Sequence, residues 1–265
     1  MNSESYNIYR RTCPDVFVDD TVYQIRTQNT PIIHPRNVTI TQRNIFKYIL
    51  TNLRESKPFT MARWNDGEWI ATLKIQDHGL YKFHSQKWGE SGQAFVDKYL
   101  YPIIMSKPKY AIGVSSEVLK KPHILNNIVR TIIGLDLFDG GLMARWGIMN
   151  NFVDLFQALQ KRNVIIVGPS YYGKMKKHIN FIAHVETSET EVWNHYEDIK
   201  DRLDKALIGV ENPVILYSCS FVAKILIDNH YHSNKTVTQL DIGAAFEPYC
   251  GMDNRPWHSP MKDKR

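Results

Sequence analysis

Between Ile45 and Leu53 the apolar residues Ile45, Phe46, Ile49, Leu50 and Leu53 fall three or four positions apart, the spacing of one helix face. The stretch that follows, PFTMARW at 58–64, reads as a strand. The same rhythm continues down the chain. AFVDKYLYPIIM, ILNNIVRTII, NFVDLFQALQKR, VWNHYEDIKDRLDKAL and FVAKILIDNHY carry helical spacing, while KYAIGV, NVIIVG, PVILYS and TVTQLDIG read as strands among them. VIIV and VILY are apolar at every position instead of every second one, as expected when helices cover both faces of a parallel sheet. The predicted architecture is α/β: a Rossmann-like three-layer sandwich with a mostly parallel sheet.

Residues 1–40 break the rhythm, mixing Pro, Thr, Asn and Asp with short β-branched pieces, and read as an irregular N-terminal extension. Residues 41–249 form the predicted domain, and 250–265 a C-terminal tail; the loop-like stretch from Phe246 can fold back over a site. With 265 residues, 43% of them hydrophobic, the chain can bury its core without staples. No apolar run approaches the roughly 18–20 residues that cross a bilayer, and the opening MNSESYNIYRRT lacks the apolar core of a signal peptide. A cytoplasmic location is therefore expected. Cys13, Cys219 and Cys250 are too few and too far apart for a disulfide framework or a zinc site of closely spaced ligands. The net charge of +6 suits a polyanionic partner, but Lys and Arg are dispersed, which fits a small phosphorylated ligand as well as nucleic acid.

Ligands of open parallel sheets bind beyond the carboxyl ends of the strands, so the polar residues that follow each strand carry the candidate chemistry. In MARWNDGEW, Asp66 and Glu68 flank one flexible glycine; they can converge in a turn as hard oxygen ligands for Mg2+ or Mn2+. The alternative is that Asp66 caps a helix running through Glu68-Trp69-Ile70. Arg63 offers a planar fork suited to phosphate, or else a structural ion pair with Asp66 or Glu68. MARW recurs at 143–146, so Arg145 becomes a second candidate cation of the same cleft.

VIIVGPSYYGKMKK reads as a strand, a turn and a helix start, where free N–H groups attract anions. Gly168, Ser170 and Tyr171 would hold a ribose or phosphate, with Lys174 as a point charge; an ordinary strand-to-helix turn is the alternative. Neither GxxxxGK[ST] nor GxGxxG is present. YSCSF sets Ser218 at a strand end, but without G-x-S-x-G it does not predict a serine hydrolase, and Ser220 suits a helix cap. QLDIGAAFEPY supplies Asp241 and Glu247 as candidate general bases, with a loop salt bridge the alternative for Glu247. Trp64, Trp69, Trp88, Trp146 and Trp257 are either stacking faces for a base or sugar, or core.

In this order the motifs resemble the GT-D-fold glycosyltransferases, a Rossmann-like family of sugar transferases. Arg63-Trp64-Asn65-Asp66-Gly67-Glu68 is similar to the family's R-F-G-D-G-E element, Arg145 to its middle arginine, Val167-Gly168-Pro169 to its V-G-P turn and Asp241-Ile242-Gly243 to its D-I-G strand end. The similarity spans roughly residues 57 to 249. Trp64-Asn65 stands where Phe-Gly is usual, and Ala244-Ala245 follows D-I-G where a His is common. The resemblance implies an Asp-x-Glu element serving a metal and a donor, a UDP-sugar, and transfer to a sugar acceptor.

The expectation is a glycosyltransferase dependent on Mn2+ or Mg2+ at Asp66 and Glu68. Arg63, Asn65, Asp66, Glu68, Arg145, Gly168, Ser170, Tyr171, Lys174 and Ser218 would bind the donor. Arg63, Arg145, Asp241 and Glu247 would serve catalysis. The partners are a nucleotide-sugar donor and a glycan acceptor, with no nucleic acid expected. The rival reading is a non-catalytic nucleotide- or nucleic-acid-binding protein that uses the same basic cleft.

Overall fold

The six residues of Val164–Pro169 are all buried. Successive side chains of a strand point to opposite sides, so such a strand needs cover on both. The computed structural model, which describes residues 22–23, 40–41, 45–75, 80–115, 118, 124, 127–128, 137–140 and 152–252, shows how that cover is supplied.

The strands are β1 (Val22–Tyr23), β2 (Ile40–Thr41), β3 (Thr60–Trp64), β4 (Ala111–Val114), β5 (Leu137–Asp139), β6 (Val164–Pro169), β7 (Phe181–Thr187), β8 (Val214–Tyr217) and β9 (Thr238–Asp241). They form one sheet in the order β1-β2-β5-β4-β3-β9-β8-β6-β7. β1 pairs antiparallel with β2. Every other pairing is parallel. The helices are α1 (Ile45–Arg54), α2 (Asp66–Leu73), α3 (Leu80–Phe95), α4 (Tyr101–Met105), α5 (Phe152–Leu159), α6 (Tyr196–Leu207) and α7 (Val222–Ser233).

The period of two divides the core. Met61, Val164, Ile166, Val214, Leu216 and Leu240 share one face with α1 and α5. Ala62, Trp64, Ile112, Val114, Ile165, Val167, Ile215 and Tyr217 share the other with α2, α4, α6 and α7. The layers are therefore helix, sheet, helix, as the uninterrupted apolar strands predict.

Local differences have local causes. LFDGG, which looks like a turn by its two glycines, contributes β5: Leu137 and Phe138 pair with both β4 and β2, and the turn comes only at Gly140. Ser170–Lys177, expected as a helix start, is 3-10 in geometry. α3 breaks at Gly89, whose φ of 62° is open to glycine. It runs into α4 through a π turn at Val96–Leu100. Two short pieces of the N-terminal extension, β1 and β2, join the sheet beside β5. Arg145, Trp146, Trp257 and the tail beyond Met252 lie outside the described residues.

The sheet order places a switch point beside β3. From β3 the strands step outward through β4 and β5, whereas β6 to β9 fill the opposite side and close on β3 through β9. Crevices in such sheets open where the connections diverge, beyond the carboxyl ends of β3 and β9. β9 ends there in Asp241, and β3 carries Arg63 one residue before its end.

The approach of β5 to β3 is close. A Cβ on Gly140 would stand 2.9 Å from Arg63 Cγ, 3.0 Å from the Val114 carbonyl oxygen and 3.1 Å from the Gly113 carbonyl carbon. Two of these neighbours are backbone and cannot swing aside, so Gly140→Ala is expected to destabilise the protein by about 1–3 kcal/mol. Urea unfolding measures it, and an unchanged midpoint would refute this packing.

Candidate active site

The crevice rim is a chain of contacts between strand ends. Tyr172, just past β6, donates from its hydroxyl to the Gly243 carbonyl past β9 at 2.8 Å. A Cβ on Gly168 would meet Tyr172 Cδ2 at 3.3 Å and Ser218 Cβ at 3.2 Å, so the ends of β6 and β8 touch. The Ser218 N–H donates to the Val167 carbonyl at 2.8 Å. Arg63 closes the ring. The structure thus gathers Arg63, Asn65, Gly168, Ser218 and the start of the β9 loop along one edge, with Ser170 exposed beside them.

Arg63 sits in a slot lined by glycine. Its Cγ lies 3.3 Å from where a Gly113 Cβ would be and 2.9 Å from one on Gly140; its Nη2 lies 2.6 Å from one on Gly243. Gly243 has φ of 48°, a left-handed backbone that favours glycine. The guanidinium reaches Asn65 Oδ1 from Nη2 at 3.4 Å. Its Nε is buried without a partner. Among the described residues no carboxylate pairs with this guanidinium, so the ion pair with Asp66 or Glu68 that the sequence left open is not formed. A buried donor without an acceptor costs about 1–3 kcal/mol and calls for an explanation. An anionic ligand is one.

Asp66 and Glu68 part company. They occupy the first and third positions of α2. Positions two apart on a helix are about 200° apart around its axis. Asp66 stays half-buried at the helix start. Glu68 turns inward: Oε2 accepts the Asn65 N–H at 3.1 Å, and Oε1 meets Lys224 Nζ at 3.0 Å. Glu68 thus serves as helix cap and ion-pair partner, with both oxygens engaged inside the protein. Among the described residues no group of three or more His, Cys, Asp or Glu side chains could hold a metal ion.

Asp241 is tied in the same way. Its Oδ2 accepts the Arg63 N–H at 3.1 Å and meets Lys224 Nζ at 2.9 Å, while Oδ1 accepts the Gly243 N–H at 3.0 Å. Its expected role as general base does not match these surroundings. Both oxygens face N–H groups inside the protein, and the residue is 2% exposed. Burial alone would lower the Lys224 ammonium, but the carboxylates of Asp241 and Glu68 outweigh it and hold the pKa above the ordinary 10.5.

Glu247 is buried in a 3-10 turn, Glu247–Cys250. Its Oε1 accepts from the Tyr171 hydroxyl at 3.3 Å, and burial with the nearby Glu247 charge pushes that phenol up. Lys174 is exposed on the 3-10 helix that follows β6. Cys219 is no nucleophile: burial and the Asp241 charge raise its thiol far above the usual range. Burial likewise pushes Cys250 up to about 12. Ser220 caps no helix with its side chain; it sits exposed in a left-handed turn with φ of 54°. Trp64, Trp69 and Trp88 belong to the core; Trp64 and Trp69 lie ring to ring at 4.9 Å.

Lys224 is the residue the sequence reading missed. Its signal was there: FVAKIL places one lysine among apolar residues on a helix predicted to face a sheet, and a buried ammonium requires carboxylates. Lys224→Met strands two buried charges and is expected to cost about 3–5 kcal/mol at pH 7, read by urea unfolding. A lysine with a raised folded-state pKa stabilises fully below the unfolded value and loses that contribution as pH climbs through the folded one. The gap between wild type and Lys224→Met should therefore shrink above about pH 10.5. A gap that widens there would refute the pairing.

No protein-family model and no curated protein matches the sequence. Two solved structures match the fold. One is a selenomethionine-substituted domain of unknown function 1792 (DUF1792), 14% identical, covering 77% of this chain and 79% of that one with a TM-score of 0.54. The other is the same domain, described as highly conserved and as having a distinct glycosyltransferase fold; it is 13% identical over 77% of this chain and 79% of that one, with a TM-score of 0.52. The chain has the fold of DUF1792, a glycosyltransferase fold of the GT-D type that its motifs resemble.

Proposed function

We propose that this protein is a glycosyltransferase that binds a nucleotide-sugar donor, a UDP-sugar, in the crevice beyond β3 and β9 and passes the sugar to a hydroxyl of a glycan acceptor. The observation that carries this reading is Arg63. Its stem is threaded between glycines, its head is free of carboxylates among the described residues, and it stands at the switch point of a glycosyltransferase fold. A guanidinium held in that way is set to take a diphosphate with its planar fork. Preorganised donors of this kind stabilise charge as it develops on a departing nucleotide.

Asn65 extends the same edge, and Ser170, Tyr171 and Ser218 line the ends of β6 and β8 for ribose and phosphate contacts. Lys174 adds positive charge. A divalent cation would take Asp66, at the start of α2, as a carboxylate ligand, with donor phosphate oxygens completing the shell, as Mg2+ sites commonly do. Bound there, Mn2+ or Mg2+ would neutralise charge on the leaving nucleotide. Glu247, whose Oε1 accepts from the Tyr171 hydroxyl, would take the acceptor proton.

The test is a panel of UDP-, GDP- and TDP-sugars, with and without Mn2+, read by nucleotide release and thermal shift. UDP-sugars should raise Tm and release UDP, and Arg63→Gln should weaken nucleotide binding at least tenfold. Arg63→Lys should not restore it, because an ammonium lacks the fork. Gly243→Ala should displace the guanidinium and weaken binding in a protein that still folds. Wild-type nucleotide affinity in Arg63→Gln, or protection by DNA or RNA alone, would sink the proposal.

A further inference from the structure

The Lys224 ammonium sits in a cage of oxygens. Glu68 Oε1 lies at 3.0 Å, Asp241 Oδ2 at 2.9 Å and the Ser220 carbonyl oxygen at 3.2 Å. An ammonium has three N–H donors, and here each has an acceptor. The cage is also costly to build. Ser220 adopts a left-handed backbone that a residue with a side chain rarely takes. The opposite oxygens are occupied as well: Glu68 Oε2 by the Asn65 N–H and Asp241 Oδ1 by the Gly243 N–H. The side chains of Lys224, Glu68 and Asp241 are 6% exposed or less.

We infer that Lys224 is the resident cation of the Asp-x-Glu corner: its ammonium takes the place of a metal ion among the oxygens of Glu68, Asp241 and Ser220, and Glu68 does not ligate an exchangeable metal. A divalent ion brought to Glu68 would meet a buried positive charge with no counter-charge to spare. Hydrogen bonds near 3 Å also set these oxygens too wide for a coordination shell, which needs about 2.0–2.2 Å. Glu68 fixes the first turn of α2 through the lysine.

Lys224 is a positioning residue in this scheme. One oxygen, Asp241 Oδ2, receives both its ammonium and the backbone N–H of Arg63, so the lysine sets the height of the arginine that receives the donor.

This inference rests on the nucleotide-sugar reading for the meaning of the cation, but its test does not. Titrate Mn2+ into the full chain and follow the free-ion signal by electron paramagnetic resonance, first without nucleotide and then with UDP. Wild type and Glu68→Gln should bind Mn2+ alike, within about twofold, in both series. Lys224→Ala vacates the cage and should gain at least tenfold in Mn2+ affinity, with a Tm that Mn2+ raises, whereas wild-type Tm stays unmoved by Mn2+ alone. Tenfold weaker Mn2+ binding in Glu68→Gln would overturn the inference, as would a folded Lys224→Ala with no gain. Should Lys224→Ala fail to fold, the Glu68→Gln comparison decides by itself. Failure of UDP to bind at all would sink the nucleotide-sugar reading while the nucleotide-free titrations still judge this one.

Discussion

One buried ammonium holds the two sides of the sheet together at its switch point. β3 and β9 meet in register only through Thr60–Gln239 and Met61–Leu240, at the amino end of β3 and the middle of β9. Toward the carboxyl ends the pairing gives way to side chains, and there Lys224 takes over. From α7 it reaches the first turn of α2 through Glu68 and the end of β9 through Asp241. A lysine, two carboxylates and three backbone N–H groups make a polar knot inside an apolar layer that contains Trp64, Trp69 and Phe221. Apolar residues of similar volume could stabilise such a site as well or better. What they could not do is fix the direction in which Arg63 and α2 leave the strand.

The glycine slot is the complement of that knot. Lys224 sets the backbone of Arg63 by way of Asp241, and Gly113, Gly140 and Gly243 leave room for its side chain. Three glycines from β4, the β5 turn and the β9 loop let the stem pass at van der Waals distance. The head emerges with its Nε unpaired. The fold thus spends packing density and hydrogen bonding on one arginine, which is the signature of a binding residue more than of a structural one.

Much of this fold is legible in the sequence, because uninterrupted apolar strands such as VIIV and VILY have few alternatives to a sheet covered on both faces. β5 was hidden because LFD is short and runs straight into glycines. The site was legible in its location but not in its roles. Composition could not separate Asp66 from Glu68, since the distinction is one of helix phase: the third position of α2 faces Lys224, a partner 156 residues further on (224 minus 68). The tryptophans pointed to stacking on chemistry alone, and burial withdrew Trp64, Trp69 and Trp88 from it. Asp241 suggested a base because it ends a strand, yet the backbone N–H groups of Arg63 and Gly243 bind both its oxygens.

The slot around Arg63 also bears on biosynthesis. Its walls come from residues 113, 140 and 243, so the last of them leaves the ribosome long after the arginine itself. Contacts of such long sequence separation form late, and parallel pairing is slow to nucleate. A nascent chain that has completed α7 still lacks β9, the strand that joins β3 to β8, and it cannot seat the guanidinium until β9 and its loop have been translated. Ligand competence in this protein therefore matures together with the joining of the two sides of the sheet, and not before.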